Sequence, residues 1–281
     1  MPVRRGDDTE WVSAERLQVL IGRGLSEGGL SGGPAPQAAT TDSPDLLRAR
    51  ADEAVQRLER QQDWQEEPVL YWQSRVLPAP PALPGLYAAD GIRGYLDGQN
   101  ELRAMGFHFH NPYQRTEAIP GGLALYSRPG LALVVGQDGI VTGGAVADRR
   151  LLARSQDGTE GLPLSAIVLA ELTYEFFRLV DKQVAPAAPG TWLHRIIARR
   201  FQSSSVTLAP GSPQSRWLRS SKPAAQDDFD VDFPSIGDAQ KDAGLALELV
   251  YGLFGLDVSA SPYVSERKFD EAGFLRQMAE R

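Results

Sequence analysis

The stretch Leu164–Val184, LSAIVLAELTYEFFRLVDKQV, predicts the helix around which the rest of the chain is organised. Ile167, Leu169, Ala170, Leu172, Tyr174, Phe176, Phe177, Leu179, Val180 and Val184 form an apolar band wider than a surface helix needs. Such breadth implies protein on two sides of the helix. Ser165 after Pro163 suits the N-cap, and the Pro-Ala-Ala-Pro-Gly run from Pro186 stops the helix. Nothing in this stretch carries visible chemistry.

A second strongly apolar helix is expected at Ala239–Phe254, ended by Gly255, and a terminal helix at Lys268–Arg281. Ser43, Pro44 and Asp45 mark a helix start. The buried stripe of that helix is Leu47, Ala51, Ala54, Val55 and Leu58, and it runs to about Gln62. Ala88–Met105 reads as wholly or partly helical. Strand-forming residues follow the Ser43 helix within Trp64–Leu77, and Phe107–His110 opens a β region. Leu123–Tyr126, Leu131–Val135 and Ile140–Thr142 are short strands, joined by turns at Arg128-Pro129-Gly130 and Gln137-Asp138-Gly139. Thr191–Phe201 fits either a helix or a strand. Val206–Leu208 is a brief strand, and Phe229–Phe233 alternates as an edge strand would.

These elements give an α+β domain at 44–281, with a small antiparallel sheet of three to five short strands packed against several helices. Residues 1–43 read as a short helix, Val12–Ile21, and a flexible Gly/Pro/Ser-rich linker.

With 42% hydrophobic and 23% charged residues the chain has ordinary globular composition, and 281 residues suffice for one large domain or two small ones. The formal charge of −7 argues against a generally basic nucleic-acid binder, though not against a local basic patch. Lysine stands only at Lys182, Lys222, Lys241 and Lys268, so arginine supplies nearly all positive charge. Absence of cysteine excludes disulfides, thiolate nucleophiles and iron–sulfur clusters. No run reaches membrane-spanning length, and a reducing, cytoplasmic location without membrane contact is the expectation.

Candidate chemistry is sparse. Gly22, Gly24 and Gly28 hint at a dinucleotide loop, but Gly, Ser and Pro follow where a helix is required, so the linker reading prevails. His108 and His110 would share a strand face and, with His194, could ligate a metal; two histidines beside Phe107 and Phe109 is the plainer reading. Asp228, Asp230 and Asp232 share one face of a strand and could hold magnesium, although a charged outer face that blunts a sheet edge is simpler. The densest basic-aromatic region is Arg195, Arg199, Arg200, Arg216 and Arg219 with Trp192 and Trp217, a pattern that can neutralise phosphate and stack on bases. Its alternative is pairing with the acidic Asp227–Asp232 run. There is no Gly-x-Ser-x-Gly elbow and no evident Ser/His/Asp set. No cofactor is implied.

Seven segments together resemble the C-terminal half of bacterial Schlafen/AlbA-like DNA-binding proteins. They are LYWQS at Leu70–Ser74, LPGLY at Leu83–Tyr87, ELRAMGFHF at Glu101–Phe109, GGLAL at Gly121–Leu125, the Asp138-Gly139 turn, LAELTYEFFRL at Leu169–Leu179, and YGLFGLD at Tyr251–Asp257 followed by SPYV. The resemblance covers about Leu46–Val264. The AlbA-like domain that carries that family's acidic, lysine and glycine-rich residues has no counterpart before Leu46, so no site residue transfers. It implies an accessory role more than an independent enzyme. The leading expectation is a non-catalytic binding protein that engages DNA or RNA, or a partner that processes nucleic acid, in repair, stress response or defence. The alternatives are a metal-dependent phosphodiesterase or nuclease using the acidic strand, and a self-associating structural subunit of a larger assembly.

Overall fold

A computed structural model describes residues 2–5, 8–11, 43–98, 102, 109, 116–128, 130–147, 162–208 and 222–279. Contacts divide the chain into two units, Met1–Thr41 and Asp42–Arg281. In the first unit, β1 (Pro2–Arg5) and β2 (Asp8–Trp11) pair antiparallel. The expected helix Val12–Ile21 and the flexible linker lie outside the described residues.

The second unit is built on one seven-stranded antiparallel sheet. Its strands are β3 (Val69–Leu77), β4 (Glu117–Ile119), β5 (Gly122–Arg128), β6 (Leu131–Gly136), β7 (Val141–Val146), β9 (Thr191–Arg199) and β12 (Phe229–Pro234). The order across the sheet is β12-β9-β3-β7-β6-β5-β4. Two small sheets complete the unit: β8 (Leu162–Leu164) with β10 (Val206–Leu208) and β11 (Lys222–Pro223), and the hairpin β13 (Val264–Ser265) with β14 (Lys268–Phe269). The helices are α1 (Pro44–Gln62), α2 (Ile92–Asp97), α3 (Ala166–Leu179), α4 (Ala239–Leu253) and α5 (Glu271–Ala279).

The α+β class stands, but the small sheet of three to five short strands does not: the main sheet has seven, and its two longest strands, the nine-residue β3 and β9, are interior neighbours in it. The meander β5–β6–β7 is there as expected, with β4 added at its outer edge. The error is physical in origin. A strand covered on both faces has no apolar–polar alternation to recognise. In β3, Leu70, Trp72 and Val76 join the large core while Val69 and Tyr71 enter a second core on the opposite face. Thr191–Phe201, which fits either a helix or a strand by sequence, is ambiguous for the same reason: Trp192, Ile196 and Ala198 face one core and Ile197 the other. The pair Gly143-Gly144 does not end β7 at Thr142 but lies within it. A Cβ on Gly143 would sit 3.1 Å from Phe176, and one on Gly144 would sit 2.8 Å from Trp64. These glycines make room for aromatic rings on both faces of the sheet.

Helix α3 is buried nearly throughout and packs against α4 over one face of the sheet. It continues through a π turn, Val180–Val184, and a last turn, Ala185–Ala187, before the proline-rich stop. Ser165 occupies its N-cap position without a side-chain hydrogen bond. Helix α1 covers part of the other face through Val55 and Leu58. Its start follows the residues: the Ser43 hydroxyl accepts from Leu46 N at 3.2 Å and Pro44 opens the first turn. The Ala88–Met105 helix is only Ile92–Asp97 among the described residues, and the terminal helix starts at Glu271 because Lys268–Phe269 is a strand.

Candidate functional site

The register of β12 on β9 on β3 places Asp230, Asp232, Arg195, Gln73 and Arg75 on the sheet face beneath α1. Arg195 is only 2% exposed. Its Nε donates to Asp230 Oδ1 at 2.6 Å, and its Nη1 donates to Asp52 and, at 3.3 Å, to Gln73 Oε1. Arg75 grips Asp232 through both Nη atoms, at 3.0 and 3.1 Å. Arg48 on α1 bridges Asp230 and Asp232. The set holds three guanidinium groups and three carboxylates, so its formal charge closes to zero. Burial works against charge on Arg195, but the hydrogen bonds and charges of Asp230 and Asp52 outweigh it and hold the guanidinium charged. Burial likewise pushes Asp230 up, and Arg195 pulls it below the usual carboxylate range.

The other predicted residues are distributed as follows. Arg199 reaches Asp228 at 3.7 Å near the surface. Arg200 ties down the loop after α1, donating to Glu67 O at 2.6 Å and to Trp64 O at 2.9 Å. Trp192 is buried in the large core. Arg216, Trp217, Arg219, His108 and His110 lie outside the described residues. The structure therefore brings Arg195, Asp230 and Asp232 into one internally paired network, Arg195 with Asp230 and Arg48 and Arg75 with Asp232. A magnesium ion at Asp230 and Asp232 would have to displace three arginines. Among the described residues no group of three or more metal-ligating side chains is arranged to hold an ion.

A second polar cluster lies on the opposite face. The Ser74 hydroxyl sits 2.8 Å from His194 Nδ1, and His194 Nε2 sits 3.1 Å from Asp242 Oδ2. Asp242 also accepts from the Ser235 hydroxyl at 2.7 Å and from Ile236 N at 2.8 Å. Burial pushes the Asp242 carboxyl up; His194, Ile236 and Ser235 together bring it below the usual range. The composition is that of a hydrolytic triad, but the order on the ring is reversed, since a catalytic serine uses Nε2 and the aspartate Nδ1. Phe177 and Phe233 wall the imidazole, with ring centres 4.8 and 5.4 Å away. Ser74 is 0% exposed, so no substrate reaches its hydroxyl in this conformation. These three residues come from β3, β9 and α4, with no sequence spacing to reveal them.

An open cleft of about 230 Å³ lies beside α1, between that helix and strands β4, β6 and β7. Arg50, Glu53, Arg57 and Gln61 form its helical wall, spaced three, four and four residues apart along α1. The turn Ile119–Pro120–Gly121 faces them, and Val134, Ile140 and Thr142 line the floor with Asp138. Glu53 accepts from Arg57 at 3.2 Å, and Gln61 accepts from the Tyr126 hydroxyl at 3.2 Å. Asp138 Oδ1 accepts from Ile140 N at 3.2 Å. Burial raises the Asp138 carboxyl above its usual range; its backbone hydrogen bonds and the charges of Arg50 and Arg57 offset this only in part. This stripe was readable on α1, but a row of charged residues beside a buried stripe normally reads as a solvated helix face.

No family profile, no curated protein and no solved structure matches this chain.

Proposed function

We propose that this is a non-catalytic binding protein, with the α1 side of the sheet as its contact surface. One observation carries the reading: the reactive and charged clusters of the interior are saturated by their own partners, while the cleft beside α1 is open. Ser74, His194 and Asp242 fix β3, β9 and α4 together, and Arg195 fixes α1 to β9 and β12. Both clusters act as fasteners that hold the contact surface in shape. A cytoplasmic setting agrees with the cysteine-free sequence, and no described helix is long and apolar enough to cross a membrane.

Nucleic acid as the ligand would draw on Arg199 and on Arg216, Trp217 and Arg219, because Arg195 faces its own carboxylates. Retention of DNA or RNA at low but not high salt would support that choice of ligand. The non-catalytic reading is tested by turnover of chromogenic acyl esters and phosphodiesters, with and without magnesium or manganese. No turnover is expected. Turnover lost in Ser74→Ala or in Asp230→Asn would overturn the reading.

A further inference from the structure

We propose that the α1 cleft binds a compact hydroxy- or amino-carboxylate, with Arg50 and Arg57 taking the carboxylate and Asp138 the hydroxyl or ammonium. This deepens the non-catalytic binding reading and rests on it.

Pockets for drug-sized ligands run from roughly 300 to 1,000 Å³. At about 230 Å³ this cleft falls below that range and suits a small molecule or the end group of a larger one.

The lining offers two guanidinium groups, Arg50 and Arg57, and two carboxyl groups, Glu53 and Asp138. A dianionic phosphate would meet both acids, whereas a single carboxylate can take the arginine fork and leave the acids to a donor. The two arginines stand seven residues apart on α1, about 10 Å along its axis. Glu53 lies between them in sequence and already holds Arg57, so an incoming carboxylate competes with Glu53 for that guanidinium.

Asp138 is locked by the hairpin turn: its Oδ1 is anchored on Ile140 N. A Cβ on Gly136 would meet that oxygen at 2.4 Å, so the glycine is what admits the carboxyl. Val134 and Ile140 give an apolar floor for the carbon skeleton. A partly desolvated acid with its pKa raised, standing in a cleft beside two arginines, also fits the general profile of a ligand site.

The test is calorimetry on the full chain with glycolate, glycine and, as the probe without a donor, acetate. Glycolate or glycine should bind more tightly than acetate. Arg50→Gln and Arg57→Gln should each weaken that binding by about tenfold, the effect of one lost charge-assisted contact. Arg60→Gln, an exposed arginine outside the cleft, should leave it unchanged, and Asp138→Asn should shrink the difference between glycolate and acetate. Melting temperatures no lower than that of the unsubstituted protein show that the variants are folded. Absence of binding, or equal weakening by Arg60→Gln, overturns the assignment. Either result leaves the non-catalytic reading intact, because that reading fails only on turnover.

Discussion

The guanidinium of Arg195 and the carboxylate of Asp230 meet side by side under α1, with Nε donating to Oδ1 at 2.6 Å. Asp230 and Ile197 are opposed in the strand register, and Arg195 is opposed to Asp232. The contact therefore runs diagonally across the β9–β12 pair, as long side chains allow. Through Asp52 the same arginine reaches α1. One side chain joins a helix to two strands.

Replacement of Arg195 by Met should therefore be costly. Removing one member of a buried ionic cluster strands the others, at about 3 kcal/mol. Asp52→Asn should cost less than about 1 kcal/mol, because Asp52 is 42% exposed and water replaces its partner. Urea denaturation of the two variants measures the difference. Equal losses would mean that Arg195 is no hub.

Acid should destabilise the fold through Asp230 and Asp242. Both have folded-state pKa values below the ordinary 3.8. The unfolded chain then takes up protons first as pH falls. The stabilisation is complete above about pH 4 and is lost as pH drops through the depressed folded values. Asp138 runs the other way, since its folded pKa is raised. Asp138→Asn should raise the neutral-pH denaturation midpoint slightly, and this gain should fade in acid. A midpoint unchanged by Asp138→Asn at pH 7 would refute the opposed sign.

Gly144→Ala should destabilise by about 1–3 kcal/mol, the range for an overfilled core. The new methyl would meet Trp64 at 2.8 Å and Tyr71 at 3.0 Å, both rigid rings. Gly252→Ala is the control, because a Cβ there meets nothing within 4 Å. It should be neutral or stabilising, since alanine favours a helix over glycine. Thermal melts of both variants are sufficient to compare them.

Ser74→Ala should cost about 1 kcal/mol, the net worth of one hydrogen bond. His194→Ala should cost more, about 2–4 kcal/mol, because it opens space between Phe177 and Phe233 and removes a partner of Asp242. Chemical denaturation reads both. A Ser74 variant more damaging than the His194 variant would contradict a fastening role centred on the imidazole.

The sequence by itself determined the local elements whose signals are short-range. Ser43-Pro44-Asp45 starts α1, Asp138-Gly139 turns the β6–β7 hairpin, and Gly255 closes off α4 with a positive φ of 62°. It also put Asp230 and Asp232 on one side of a strand, whereas Asp228, expected with them, precedes β12. Only the tertiary structure decided that β3 and β9 pair as interior strands of a seven-stranded sheet, because burial on both faces erases the alternation that marks a strand. Only the tertiary structure decided what the charged residues do. Arg195 lies 35 residues from Asp230, 122 from Gln73 and 143 from Asp52, so no spacing along the chain could join them. Ser74, His194 and Asp242 were equally invisible, since residues on separate strands and helices become neighbours only through pairing register and packing. The cleft beside α1 likewise draws its lining from α1 and from strands β4, β6 and β7, which only the tertiary structure brings together.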